Sequence, residues 1–90
     1  MHDVGSILRE ERKARGLEIS DIAKRTHINA FYLKAMEEGK YHVIPRVFDK
    51  GYLRIYAKLL GLDAPTLIDQ YELERKAVPT NPSLSVARSA

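Results

Sequence analysis

Apolar residues recur every three or four positions along the first 75 residues of the chain, which is the spacing of amphipathic α-helices. The pattern predicts five helices, at residues 4–15, 19–26, 30–38, 46–60 and 64–75. Gly16, Gly39 and Gly61 follow three of them, in the position where a left-handed residue commonly ends a helix. Because the connections are short and leave no room for a sheet, the predicted fold is all-α, an orthogonal bundle of five helices.

The second and third predicted helices form a helix-turn-helix motif. His27 and Ile28 leave only a short turn between them, and Asn29 is a good N-cap for the third helix. The N-cap of the second helix has two candidates. Ser20 is the better capping residue by its chemistry, whereas Glu18 holds the position that the hydrophobic spacing favours.

Composition adds a domain boundary and a few limits on function. The composition predicts that residues 1–75 form one domain. Residues 76–90 contain prolines and small polar side chains, and they are predicted to form a linker or flexible tail. There is no cysteine, which suits a reducing compartment such as the cytoplasm. The net charge of +3 permits a polyanionic partner without requiring one. No apolar run approaches the ~18 residues of a membrane span, and the charged N-terminus does not resemble a signal peptide.

Catalytic chemistry is not indicated. The chain has no phosphate-binding glycine loop, no nucleophile elbow and no zinc-binding HExxH motif. The three histidines, His2, His27 and His42, are scattered and are expected to be exposed. Glu37 and Glu38 are adjacent on a helix, so they point in different directions and cannot act as a carboxylate pair. The sequence therefore predicts a binding protein that is not an enzyme, with no cofactor and no metal site.

A helix-turn-helix motif raises the possibility of DNA binding, because the start of its second helix normally contacts base edges. In this chain those candidate residues are Asn29, Ala30, Phe31, Tyr32 and Lys34. Several features argue against base readout. Asn29 is expected to be used for capping, the two residues after Ala30 are aromatic, and Glu37 and Glu38 would repel phosphate.

The fourth helix carries more apolar residues than one buried face requires. One stripe comprises Leu53, Tyr56, Ala57 and Leu60, and a second comprises Phe48, Tyr52, Ile55 and Leu59. In one interpretation helix five buries the second stripe. In the other, Phe48 and Tyr52 form an exposed aromatic patch beside Lys50 and Arg54, which is the composition of a protein interface. Gly51 either permits a close helix approach or fits a crowded packing position.

Two segments together carry a family resemblance. The order GSILREERKARGLEISDIAKRTHINAFYLKAMEEGKYHVIP and then VFDKGYLRIYAKLLGLD resembles the cytoplasmic helix-turn-helix domain of the RodZ family of bacterial cell-shape proteins. The similarity covers about residues 4–72. Its first half is shared with Cro/repressor-type domains, whereas KGYLR at 50–54 and YAK at 56–58 make the resemblance more specific.

The resemblance implies a function. RodZ-like proteins are anchored in the inner membrane, with this domain at the cytoplasmic N-terminus, followed by a linker, one transmembrane helix and a periplasmic domain. The domain binds MreB, the bacterial actin, through aromatic residues at the start of the fourth helix, which fall on Phe48 and Tyr52 here. Lys50 and Arg54 would be flanking contacts. We therefore expect an adaptor that links MreB to cell-wall synthesis, with a Cro/repressor-type DNA-binding regulator and a self-associating helical module as alternatives.

Overall fold

The computed structural model describes residues 3–77, which form five α-helices. The helices are α1 (Val4–Ala14), α2 (Ile19–Thr26), α3 (Ala30–Glu38), α4 (Arg46–Leu59) and α5 (Ala64–Ala77), with a single 3₁₀ turn (Tyr41–Val43) before α4. The described part of the chain contains no strand. The prediction of an all-α fold with five helices and a helix-turn-helix motif is confirmed.

Side chains just before the helices supply the caps that their first N–H groups need. The Asp3 carboxylate accepts from the backbone N–H of Ser6 at 2.8 Å, ahead of α1. Before α3, the Asn29 side chain accepts from the N–H of Phe31 at 2.8 Å. The N-cap of α2 is Glu18, whose own N–H donates to the Asp21 carboxylate at 2.8 Å. The hydrophobic spacing, and not the capping preference of serine, therefore sets the start of α2.

The last helix, α5, continues beyond the point where its apolar periodicity ends. Periodicity fades near Arg75, whereas α5 continues to Ala77. Tertiary contacts hold this last turn, because the Arg75 guanidinium donates to the carbonyl oxygen of Tyr41 at 2.6 Å. The rest of the predicted tail, residues 78–90, lies outside the described residues.

The core lies between all five helices and takes one side of α4. Every member of the first α4 stripe is buried: Leu53, Tyr56, Ala57 and Leu60. The second stripe is not covered in the same way. Phe48 remains 48% exposed and Ile55 45% exposed, while Tyr52 and Leu59 are partly buried. The interpretation in which helix five buries this stripe is therefore wrong for Phe48 and Ile55, and only the partial burial of Tyr52 and Leu59 agrees with it.

No helix within residues 3–77 combines the length and the apolar character that a membrane span needs.

Candidate protein-docking surface

Four aromatic rings from two helices form a continuous line, which we call the aromatic row: Phe31, Tyr32, Tyr52 and Phe48. Phe31 meets Tyr32 edge-on at 5.5 Å between ring centroids. Tyr32 on α3 contacts Tyr52 on α4 at 5.9 Å, and Tyr52 stacks on Phe48 at 5.5 Å with 10° between the ring planes. These separations are those of favourable aromatic pairs. The structure thus joins the candidate aromatic patch on α4 to the first turn of the would-be recognition helix.

The ends of the aromatic row face solvent and its middle is anchored. Phe31 is 60% exposed and Phe48 is 48% exposed, whereas Tyr32 and Tyr52 pack against the core. Large rings that are exposed but held in place bind partners well, because little side-chain freedom is lost on binding. The arrangement can therefore bind an apolar surface of another macromolecule.

The basic residues predicted to flank this surface lie elsewhere on α4. At about 100° per residue, Lys50 and Arg54 are each roughly 160° around the helix from Tyr52. The Lys50 ammonium lies 2.7 Å from the Glu72 carboxylate on α5, and this hydrogen bond lowers the pKa of Glu72 below its ordinary value. Arg54 is exposed on the far side of α4. The structure brings together Phe48 and Tyr52 but not Lys50 and Arg54 with them.

The residues proposed for base readout also differ in their exposure and in the contacts that they make. Asn29 is used as the α3 cap, as expected, and Ala30 is exposed. Lys34 is exposed one turn after Phe31, and both residues line a groove on the surface of α3. The expectation that Glu37 repels phosphate is wrong, because Glu37 is only 6% exposed and is paired with arginine.

Glu37 is the centre of a buried polar cluster that the sequence analysis did not identify. The Arg12 guanidinium binds its carboxylate in bidentate fashion, with Nε at 2.7 Å and Nη2 at 2.9 Å. The Tyr56 hydroxyl donates to the same carboxylate. Burial and this hydrogen bond raise the pKa of Tyr56 far above its ordinary value, so the phenol stays protonated and donates. Arg12 therefore lies inside the protein, where it links α1 to Glu37 on α3 and, through Glu37, to Tyr56 on α4.

This cluster links α4 to α3 close to the aromatic row. Tyr52 and Tyr56 are four residues apart on α4, so they share one side of that helix. Fixing Tyr56 to Glu37 on α3 holds Tyr52 beside Tyr32. The surface is therefore positioned by a buried charged pair and not only by apolar packing.

A second buried carboxylate fixes the start of α4. Asp49 is 1% exposed, and its Oδ2 accepts from the Tyr71 hydroxyl at 2.6 Å and lies 3.4 Å from Arg75 Nη1. Burial, together with the hydrogen bond to Asp49, raises the pKa of Tyr71 to about 12. Because Asp49 is held inward against α5, the preceding Phe48 lies about 100° around the helix, where it faces solvent.

Gly51 has neither of the packing roles expected for it. A Cβ added there would meet no atom within 4 Å, and the residue is exposed in the middle of α4. We predict that Gly51→Ala raises the free energy of unfolding by about 0.5–1 kcal/mol, because glycine is a poor residue in a helix interior. Urea denaturation followed by circular dichroism measures this change. A loss of stability would show that this side of α4 is more crowded than the structure indicates.

The order of helices, the caps and the short turn of the motif agree with one domain family. A model described as a helix-turn-helix domain matches residues 7–67. The chain belongs to the helix-turn-helix domain family. The matched region of this helix-turn-helix domain runs from α1 into α5 and contains the whole aromatic row.

Relatives of this helix-turn-helix domain include proteins named for the membrane and the cytoskeleton. The cytoskeleton protein RodZ of Streptococcus pneumoniae is 31% identical over 70 residues, which cover 77% of this chain and 25% of RodZ. The uncharacterized membrane protein YmfM of Bacillus subtilis is 33% identical over 57 residues, covering 62% of this chain and 20% of YmfM. The resemblance to RodZ is thus confirmed as sequence similarity. The chain spans only a fifth to a quarter of the length of these relatives.

A solved structure shares the fold of the helix-turn-helix domain. YmfM from Staphylococcus aureus, a membrane protein proposed to bind DNA, superposes with a TM-score of 0.75 at 24% sequence identity. The similarity covers 90% of this chain and 96% of the YmfM chain. At this identity the similarity establishes the arrangement of the helices.

Proposed function

We propose that this helix-turn-helix domain is a RodZ-like adaptor that binds MreB through α4 and so links the bacterial cytoskeleton to cell-wall synthesis. The observation that carries the proposal is the stacked pair Phe48 and Tyr52, of which Phe48 is 48% exposed on an outer face of α4. Similarity to RodZ of S. pneumoniae supports the choice of partner. In this proposal the domain lies at the cytoplasmic face of the inner membrane.

The mechanism is recognition by aromatic anchors. Phe48 would bury its ring against an apolar site on the filament, and Tyr52 would support it from below. Lys50 and Arg54 lie away from these rings, so we assign them to the rim of the contact at most, with Lys50 already paired to Glu72. Rim charges change association rates more than they change the strength of the complex.

DNA binding is the second candidate, and two observations favour it. The fold is that of YmfM from S. aureus, which is proposed to bind DNA. The pairing of Glu37 with Arg12 also removes one of the two negative charges expected to repel phosphate from α3. Against it, the first turn of α3 presents Phe31 and Tyr32, while the Asn29 side chain is used as a cap. Neither aromatic ring can make the bidentate contacts that read bases.

We predict that Phe48→Ala weakens co-pelleting of the domain with polymerised MreB roughly tenfold or more, because truncating an aromatic anchor commonly has this effect. The unfolding temperature should change little, since Phe48 is half exposed. Leu73→Ala is the matched control, because Leu73 is 69% exposed and lies on the side of α5 opposite to Tyr71. Leu73→Ala should pellet like the unmodified domain.

A parallel titration with a random DNA duplex separates the two candidates. Binding to DNA weakens linearly with salt on a log–log scale, because counterions are released from phosphates. A mainly apolar protein contact changes much less. If the unmodified domain does not pellet with MreB and binds the duplex in this salt-dependent way, the adaptor proposal is wrong. Sedimentation of the domain alone tests the self-association alternative.

A further inference from the structure

We infer that the filament-docking surface does not end on α4 but continues along the aromatic row onto the first turn of α3, reaching Phe31 and the groove beside it. This inference rests on the proposed function, since it takes the same partner. It assigns the start of α3 to a protein interface.

The first argument is continuity. Each ring of the aromatic row contacts the next at 5.5–5.9 Å between centroids, so ring contacts run without a break from Phe48 to Phe31. Tyr52, which a partner on Phe48 must cover, itself touches Tyr32. Phe31, at the other end, is the more exposed of the two phenylalanines.

The second argument is area. A stable interface buries about 800 Å² on each partner. An aromatic side chain buries at most about 150–250 Å², so Phe48 and Tyr52 alone fall well short of that. The footprint must therefore extend. Ile55, which is 45% exposed on the same stripe, adds to the surface on α4 but does not complete this area, whereas Tyr32 and Phe31 extend it onto α3.

The third argument is the groove that adjoins Phe31. It has a volume of about 530 Å³ and is lined by Phe31, Lys34, Ala35, Glu38, Lys40, His42 and Val43. Glu38 is paired with Lys40 at 3.4 Å, so Lys34 gives the rim a positive charge that Glu38 does not neutralise. The groove would accommodate an apolar side chain of the filament, and Lys34 at its rim would pair with a neighbouring carboxylate.

A consequence concerns the helix-turn-helix motif itself. A partner seated on Phe31 and Tyr32 occupies the part of α3 that would enter a DNA groove. A domain bound to the filament in this way therefore cannot insert the start of α3 into a DNA groove.

The test compares four single variants with the unmodified domain in co-pelleting with polymerised MreB. Phe31→Ala and Lys34→Glu probe the extension. Leu73→Ala and Lys13→Glu are matched controls, since Lys13 is exposed on α1 and its reversal gives the same net charge as Lys34→Glu. We expect Phe31→Ala to weaken binding roughly tenfold, Lys34→Glu to weaken it most at low salt, and the controls to bind normally.

The outcomes separate this inference from the proposed function. If Phe48→Ala loses binding while Phe31→Ala and Lys34→Glu bind normally, the surface ends on α4; the inference is overturned and the adaptor function stands. If the unmodified domain does not pellet, both are overturned. Loss of binding in Phe31→Ala with an unchanged unfolding temperature and normal controls establishes the extended surface.

Discussion

Glu37→Ala is expected to lower the free energy of unfolding by about 3–5 kcal/mol, which is what breaking a buried ion pair from one side generally costs. The Arg12 guanidinium would be left inside the protein with its carboxylate partner gone, retaining the backbone carbonyl of Leu17 at 2.9 Å. The Tyr56 hydroxyl would lose its acceptor as well. Because a domain of this size has a total stability of only about 5–10 kcal/mol, roughly a third or more of it would be lost.

The neighbouring glutamate provides the control. Glu38 is exposed on the same turn of α3, where it pairs with the exposed Lys40, and exposed pairs contribute about 0–1 kcal/mol. Urea denaturation of the two alanine variants should therefore give very different midpoints. Similar midpoints would show that the Arg12 pair adds nothing to stability. The double variant Arg12→Met with Glu37→Leu should recover much of the loss, since it removes both charges.

The helices could be predicted closely from sequence because their boundaries depend on neighbouring residues. The start of α3 at Ala30 follows from Asn29, and its end from Gly39, whose φ of +75° is the conformation that favours glycine. At the end of α5, where the prediction stopped two residues short, a distant contact was responsible. Arg75 is held there by the loop before α4, which no local pattern reveals.

The buried charges were missed, although each of them left a signal. Arg12, Glu37 and Asp49 each lie four residues from a buried leucine, namely Leu8, Leu33 and Leu53. Positions four apart share a helix face, so the pattern placed these three charges on buried faces. It could not name their partners. Arg12 and Glu37 are 25 residues apart, Glu37 and Tyr56 are 19 apart, and Asp49 and Arg75 are 26 apart, and each of these pairs joins two different helices.

Only the part of the candidate site that lies on α4 could be predicted from the sequence, for a similar reason. Phe48 and Tyr52 belong to one helix, and their shared face follows from helix geometry. The contact between Tyr52 and Tyr32 depends on how α4 is placed relative to α3, to which the hydrogen bond between Tyr56 and Glu37 contributes. The sequence therefore indicated two separate candidate sites, a protein patch on α4 and a DNA-reading turn on α3, where the structure has one aromatic row.

Gly5→Ala is expected to destabilise the domain by about 2 kcal/mol or more, in the range of overpacked core substitutions. Gly5 lies in the first turn of α1, where α1 crosses α3. A Cβ there would be 2.5 Å from the carbonyl oxygen of Glu37 and 2.6 Å from that of Met36. These are backbone atoms of a helix and cannot rotate away, so α1 must move outward from α3.

This displacement of α1 would change the docking surface through its effect on Glu37. Arg12 on α1 would be drawn away from the Glu37 carboxylate, which also holds Tyr56 and, through it, the position of α4 on α3. We therefore expect Gly5→Ala to lower the urea midpoint and to weaken binding to MreB. This effect is expected although Gly5 is buried and packs against the C-terminal end of α3, away from Phe31 at its start. Gly51→Ala is the matched control, because the same added methyl group meets nothing there and should stabilise α4. Equal stability of the two variants would mean that α1 and α3 are not packed as closely as the structure shows.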